Sequence, residues 1–286
     1  SVRKDGYAIL NADDELVMAM RKQCDCKIAL FSLDENNRLI RQHCKLGGLA
    51  AIYENGFITI SKGEWKLRIE KAVNVPLTYG GKAVFNIQNV LPAVLAAYTQ
   101  GVKIEELRQA LMTFVPSPAQ TPGRLNLFQF KHFQVVVDYA HNPHGFEALG
   151  RFLSKVPDSP KIGVIAGVGD RRDEDTVNLG RLSARMFDEI IIRQDRNLRG
   201  KTDDEIIALL VKGIQEVDPK KPYKIMKKED EAIRHAIGTA PKGAFVVLCS
   251  DVVPDALALV LKLKEEDEQV PFSKEDIPNR NKELVG

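Results

Sequence analysis

Short apolar runs separated by polar turns dominate the first part of the chain. Gly6 through Ala12 reads as a strand ending in the polar turn Asp13-Asp14, Glu15–Lys22 as a helix, and Cys26–Phe31 as the next strand, together a βαβ unit. Ala50–Tyr53, Phe57–Ile60 and Trp65–Ile69 are divided by Glu54-Asn55-Gly56 and Ser61-Lys62-Gly63, the mark of antiparallel hairpins. Val90, Leu91, Val94, Leu95 and Tyr98 recur at helical spacing, with Asn86 or Asn89 available as a cap. Pro92 fits that helix only if it begins near Val90, so that the proline falls in the first turn. Ile104–Phe114 makes a further short helix. The three prolines in Val115–Gly123 then mark a linker.

Beyond residue 130 the rhythm becomes regular. Strands are predicted at Gln134–Asp138, Lys161–Ala166, Glu189–Arg193, Tyr223–Met226 and Ala244–Cys249. Helices are predicted at His144–Lys155, Glu174–Phe187, Asp203–Glu216, Glu229–Ile237 and Pro254–Leu263. Such alternation predicts a Rossmann-like, doubly wound, mostly parallel sheet with helices on both faces. The fold class is α/β, with domains expected over 1–118 and 119–265 and a flexible polar tail over 266–286.

Composition narrows the classes. With 286 residues, 44% apolar and 28% charged, the chain is long enough for two globular domains. A net charge of +2 gives no global case for nucleic acid. No apolar run approaches the roughly 20 residues of a membrane span, and Ser1–Gly6 holds no apolar signal region. Four cysteines point to a reducing, cytoplasmic setting, and the C-x-C of Cys24 and Cys26 with His43-Cys44 is no common zinc pattern, so no metal site is expected. There is no G-x-G-x-x-G after a first strand and no G-x-x-x-x-G-K-[ST] anywhere. Gly80-Gly81-Lys82-Ala83 is the nearest imitation of the latter and lacks its spacing and hydroxyl.

The chemistry gathers at predicted strand ends. Val135-Val136-Val137 runs into Asp138-Tyr139-Ala140-His141-Asn142-Pro143, a buried strand leading to a turn and then a helix. In open α/β sheets ligands sit at the carboxyl ends of strands. The other ends offer Asp170 with Arg171, Asp195 with Arg196 and Arg199, and Ser250 with Asp251. Mixed charge at one edge suits a charged substrate, which makes Asp170, Arg171, Asp195, Arg199 and Asp251 candidate substrate-binding residues. N-capping by Asp170, Asp173 or Asp251 is the plain structural alternative.

The run Asp138–Pro143, the Asn86-x-x-Asn89 pair before an alanine-rich helix, Gly123-Arg124 after the linker and Asn11-x-Asp13-Asp14 together resemble the Mur ligase family, which includes the muramyl and folylpolyglutamate ligases. The resemblance implies part of a central ATP-binding domain without its P-loop, then the family's C-terminal domain. It implies an enzyme using ATP and Mg²⁺ to phosphorylate a carboxylate, whose acyl phosphate an amine then attacks. Asn86 and Asn89 would contact adenine, Arg124 the phosphates, and Asp138 the ribose hydroxyls. His141 would hold the loop or touch the nucleotide, and Arg124 and His141 are the residues expected to take part in the chemistry. Val75–Thr78 through Asn89 is most similar to the branch that adds arginine to aspartate side chains of a polyaspartate backbone. That makes ATP, an amino acid and a carboxylate-bearing acceptor the expected partners, with no nucleic acid or membrane, and a homo-oligomer for the full-length enzyme. Another Mur-type ligase, or a non-catalytic binding module, are the alternatives. With no phosphate cradle in it, the chain is expected to be a piece of a longer enzyme, inactive alone.

Overall fold

A computed structural model of the chain describes residues 2–156, 158–194 and 200–269. These fall into two compact units: residues 2–116 with 151–156, and residues 117–150 with 158–269.

The first unit holds β1 (Tyr7–Asn11), α1 (Glu15–Ala19), β2 (Lys27–Ser32), α2 (Arg38–Lys45), β3 (Leu49–Glu54), β4 (Phe57–Lys62), β5 (Trp65–Lys71), α3 (Val84–Thr99) and α4 (Ile104–Thr113). Its strands lie in the order β1-β2-β3-β4-β5, parallel from β1 to β3 and antiparallel from β3 to β5. Asn55 and Gly56 both have positive φ, 51° and 80°, the backbone a two-residue hairpin turn requires, and they join β3 to β4. One face of the sheet packs Ala51, Ile58 and Ile60 against Val90, Leu91, Val94 and Leu95 of α3. The other packs Leu30, Ala50 and Ile52 against Ile40 and Cys44 of α2.

Three details differ from the sequence-based expectations. The helix expected over Glu15–Lys22 closes at Ala19 and continues as a 3₁₀ turn, Met20–Gln23. Helix α2 was not expected; Asn37 caps it by accepting the Leu39 and Ile40 N–H groups. Helix α3 begins at Val84 with Ala83 at its N-cap, so neither Asn86 nor Asn89 caps it and Pro92 lies inside. An interior proline costs about 3 kcal/mol. Burial of Val90, Leu91, Val94 and Leu95, each 3% exposed or less, returns roughly 1.5–3 kcal/mol per side chain and outweighs it.

The second unit holds β6 (Asn126–Gln129), β7 (Gln134–Asp138), α5 (Pro143–Leu153) as far as Gly150, β8 (Lys161–Ile165), α6 (Asp173–Met186), β9 (Glu189–Ile192), α7 (Asp203–Val217), β10 (Tyr223–Ile225), α8 (Glu229–Gly238), β11 (Phe245–Cys249) and α9 (Val253–Gln269). The strand order is β10-β9-β8-β11-β7-β6, parallel throughout except for β6, which pairs antiparallel with β7. The chain moves outward from β8 to β10 and then returns to insert β11 between β8 and β7. That reversal is the topological switch point at which α/β sheets open a ligand crevice.

On one face Val135, Val137, Ile162, Val164, Val246 and Leu248 pack against Ala232, Ile233 and Ala236 of α8 and Ala256, Leu257 and Val260 of α9. Helices α6 and α7 meet at glycines: a Cβ built on Gly213 would stand 1.9 Å from the Val177 carbonyl oxygen, and one on Gly180 2.2 Å from that of Leu210. Helix α9 reaches Gln269, so residues 266–269, expected as tail, are helical, and Asp267 accepts the Lys131 backbone N–H at 2.9 Å. No helix among the described residues is long and apolar enough to cross a membrane.

Candidate active site

The site is built on the end of β7. Asp138 accepts two backbone N–H groups, Leu125 at its Oδ2 (2.9 Å) and Ala140 at its Oδ1 (2.8 Å). Its own carbonyl accepts the Ser250 N–H at 3.0 Å, which ties the turn after β11 to the end of β7. The side chain keeps some solvent contact but is mostly surrounded by protein, and burial raises its carboxyl above the ordinary range. The N–H groups of Leu125 and Ala140, then the charge of Arg124 and His141, pull it part of the way back.

The segment before β6 is shaped to reach this carboxylate. Gly123 has φ +68°, and a Cβ there would lie 2.6 Å from Val253 Cγ2, so both backbone and packing demand glycine. Asn126 Oδ1 accepts the Gly123 N–H at 2.6 Å, and its Nδ2 donates to the Thr121 carbonyl at 2.9 Å. Leu125 holds φ 48° in the left-handed region, at a cost of order 1–3 kcal/mol that its bond to Asp138 helps to offset.

Arg124, Asp138 and His141 are thus brought together. The exposed Arg124 guanidinium lies 5.3 Å from the centroid of the Tyr139 ring, and the Tyr139 and His141 rings stand 4.7 Å apart, tilted at 57°. His141 Nδ1–H donates to the Tyr139 carbonyl at 2.9 Å, so Nε2 is the nitrogen not used in holding the loop. Asn142 Oδ1 accepts the Gly145 N–H at 2.8 Å and caps α5, with Pro143 at its first position.

At the end of β8, Asp170 and Arg171 are half-exposed, with Arg171 Nε 3.9 Å from Asp170 Oδ1. Lys201 Nζ braces that loop at the carbonyls of Gly169 (3.3 Å) and Arg171 (2.5 Å) and at Asp173 Oδ1 (3.1 Å). The N-cap of α6 is Arg172 with no side-chain cap, so neither Asp170 nor Asp173 caps that helix. Asp195 and Arg199, with Arg196, lie outside the described residues.

Asp251 is engaged: its Oδ1 accepts Arg193 Nη2 at 2.6 Å. Sequence reading missed Arg193 and Glu229, although an arginine directly after Ile190-Ile191-Ile192 was a signal that something must pair with it. In the first unit, Asn86 is buried and donates through Nδ2 to the Leu77 carbonyl at 2.8 Å, while Asn89 is exposed and reaches Asn86 Oδ1 at 3.5 Å. Among the described residues no three His, Cys, Asp or Glu side chains converge as a metal cage would need. Mg²⁺ commonly binds through substrate phosphates with one or two carboxylates rather than in an all-protein cage.

Residues 123–252 match the family model described as Mur ligase, glutamate ligase domain. Over these residues the chain is similar to the Mur ligase family's glutamate ligase domain. The match takes in Gly123-Arg124, the Asp138–Pro143 run and Arg193 through Asp251. Over 284 residues the chain is 45% identical to the cyanophycin synthetase of Trichormus variabilis, covering 98% of this chain and 32% of that protein. The diaminopimelate-adding ligase of Caldanaerobacter subterraneus, a UDP-N-acetylmuramoyl-L-alanyl-D-glutamate ligase, is 25% identical over 84% of this chain and 46% of its own. A solved E. coli FolC in complex with DHPP and ADP has the same fold, with a TM-score of 0.59 and 15% identity over 92% of this chain and 62% of that one. The chain spans about a third of the length of the cyanophycin synthetases it matches. Within residues 123–252, the backbone of the buried Leu125 pins Asp138, and Arg124, Tyr139 and His141 lie side by side at the end of β7.

Proposed function

We propose that this chain is part of an ATP-dependent amide-forming ligase that joins arginine to the aspartate side chains of a polyaspartate backbone. The observation that carries this is the 45% identity to a cyanophycin synthetase across 98% of the chain, with the Asp138–Pro143 run included. The γ-phosphoryl group of ATP passes to a carboxylate oxygen, giving an acyl phosphate and ADP. The amine nitrogen attacks the acyl carbon, its proton leaves, and the C–O bond to phosphate breaks. Such chemistry depends on positioning and on neutralising phosphate charge more than on a protein nucleophile.

The residues divide the work accordingly. Each oxygen of Asp138 holds one N–H group and keeps a lone pair, so the carboxylate can accept a ribose hydroxyl without releasing its loop. Arg124, exposed above the Tyr139 ring, supplies a planar cation suited to phosphate oxygens. His141 holds the loop through Nδ1 and keeps Nε2 for the nucleotide. Asn86 and Asn89 contribute amides for the purine edge, Asn89 being the exposed member. Asp170, Arg171, Asp195, Arg199 and Asp251 are assigned to the charged substrates. Mg²⁺ enters with the nucleotide, and the setting is cytoplasmic. With no G-x-x-x-x-G-K-[ST] run in its sequence, the 286-residue polypeptide alone is expected not to turn over ATP.

The test is to incubate the full-length protein with ATP, Mg²⁺, a short polyaspartate and arginine, and to weigh the product. A mass gain of one arginine less one water per ADP formed is expected. ATP-dependent joining of another amino acid, with arginine refused, would move the protein to another Mur-type ligase.

A further inference from the structure

The strongest unassigned feature is a buried charge network on the carboxyl side of the second sheet. Arg193 follows β9 directly, and its side chain is 2% exposed. Its guanidinium donates to the carbonyls of Gln194 (Nη1, 2.9 Å) and Cys249 (Nη2, 3.0 Å), and through Nη2 to Asp251 Oδ1 (2.6 Å). Glu229, the first residue of α8, lies 3.4 Å from Arg193 Nε with its side chain 7% exposed, and its Oε1 accepts the Ser250 hydroxyl at 2.6 Å. Arg193 thereby links the ends of β9 and β11 across β8, which lies between them.

Two features separate this network from ordinary cohesion. Burying the charges of Arg193 and Glu229 is costly, and such clusters often contribute no more stability than apolar residues of similar volume, so their geometry is the better guide to what they do. The exposure is also graded: Arg193 and Glu229 are sealed in, while the Asp251 side chain is 23% exposed and is the end that meets solvent. A carboxylate at a sheet's switch point, fixed in one rotamer by a buried guanidinium, is a pre-oriented acceptor for a cationic ligand group.

We infer that Arg193 is a positioning residue for the amine substrate: it aims Asp251 at the cationic side chain of that amine, a guanidinium or ammonium group. This rests on the ligase reading above. Arg193 touches no substrate itself and acts only through Asp251.

The experiment compares Arg193→Lys, Asp251→Asn and the double variant in the full-length protein, with KM measured separately for the amine and for ATP. Each single variant is expected to raise the amine KM about tenfold or more, with ATP KM and kcat within about twofold. The double variant should be no worse than Asp251→Asn, because Arg193 has nothing left to aim. An additive double variant, or a folded Arg193→Lys with unchanged amine KM, overturns the inference. If Arg193→Lys does not fold, Asp251→Asn decides alone: an unchanged amine KM overturns it. Wild-type protein that joins no amine to any carboxylate would sink the ligase reading itself, and the inference with it. Wild-type activity with indifferent variants sinks only the inference.

Discussion

Replacing Asp138 by asparagine tests whether the end of β7 is organised as described. The carboxylate accepts the Leu125 and Ala140 N–H groups, one on each oxygen. Asparagine has one acceptor oxygen, so one of those N–H groups would face an NH₂ group instead. A part-buried donor left without a partner costs about 1–3 kcal/mol, and Leu125 would keep its left-handed strain without its compensating bond. Removal of a partly desolvated charge works the other way, so the net destabilisation should sit near the lower end of that range, about 1–2 kcal/mol. For a domain of this size that is a fall in Tm of roughly 2–8 °C. The pH dependence carries the sharper sign. Burial raises the folded carboxyl of Asp138. Its contribution to stability is therefore complete below the unfolded value of about 3.9 and is lost as pH rises through the raised folded value. Denaturant titrations of both proteins should show the gap between wild type and Asp138→Asn widening as pH falls from about 7 toward about 4. An asparagine variant as stable as wild type, or a gap that narrows on acidification, refutes the reasoning.

Other outcomes follow from the same contacts. Gly213→Ala puts a Cβ 1.9 Å from the Val177 carbonyl oxygen and should separate α6 from α7, lowering stability by about 1–3 kcal/mol or more in urea melts, whereas an unchanged midpoint contradicts the close helix approach. Gly123→Ala combines φ +68° with contact on Val253 and should destabilise the second unit; wild-type melting would contradict it. Burial, partly opposed by the Leu49 carbonyl, lowers the pKa of His43. Its contribution is present above the unfolded value of about 6.5 and is lost as pH falls through that value toward the folded one, so His43→Gln should flatten that part of the stability profile; a profile of unchanged slope would exclude His43 as its source.

The second sheet was legible because its central strands are buried on both faces and read as unbroken apolar runs, Val135–Val137 and Ile190–Ile192 among them. The edge strand β6 escaped notice because it has only four residues of alternating burial. The start of α3 was misjudged because local proline chemistry was weighed before the tertiary burial of Val90 through Leu95. At the site, the Asp138–Pro143 run was visible, but not that both Asp138 oxygens serve its own loop, since Leu125 reaches it only through a left-handed backbone. Asp251 was recognisable as a strand-end acid, while its partner Arg193 lies 58 residues earlier and meets it only once β11 has inserted next to β8.

The measurement that bears most directly on the ligase reading follows oxygen from acceptor to phosphate. The full-length protein would be given ATP, arginine and a polyaspartate whose side-chain carboxylates carry oxygen-18, and the released phosphate analysed by mass. Transfer of a single labelled oxygen into phosphate, in step with each new amide bond, is the expected result, because only an acyl phosphate leaves with an oxygen of the acceptor. Amide formation with unlabelled phosphate, or ATP cleavage to AMP and pyrophosphate, would contradict it.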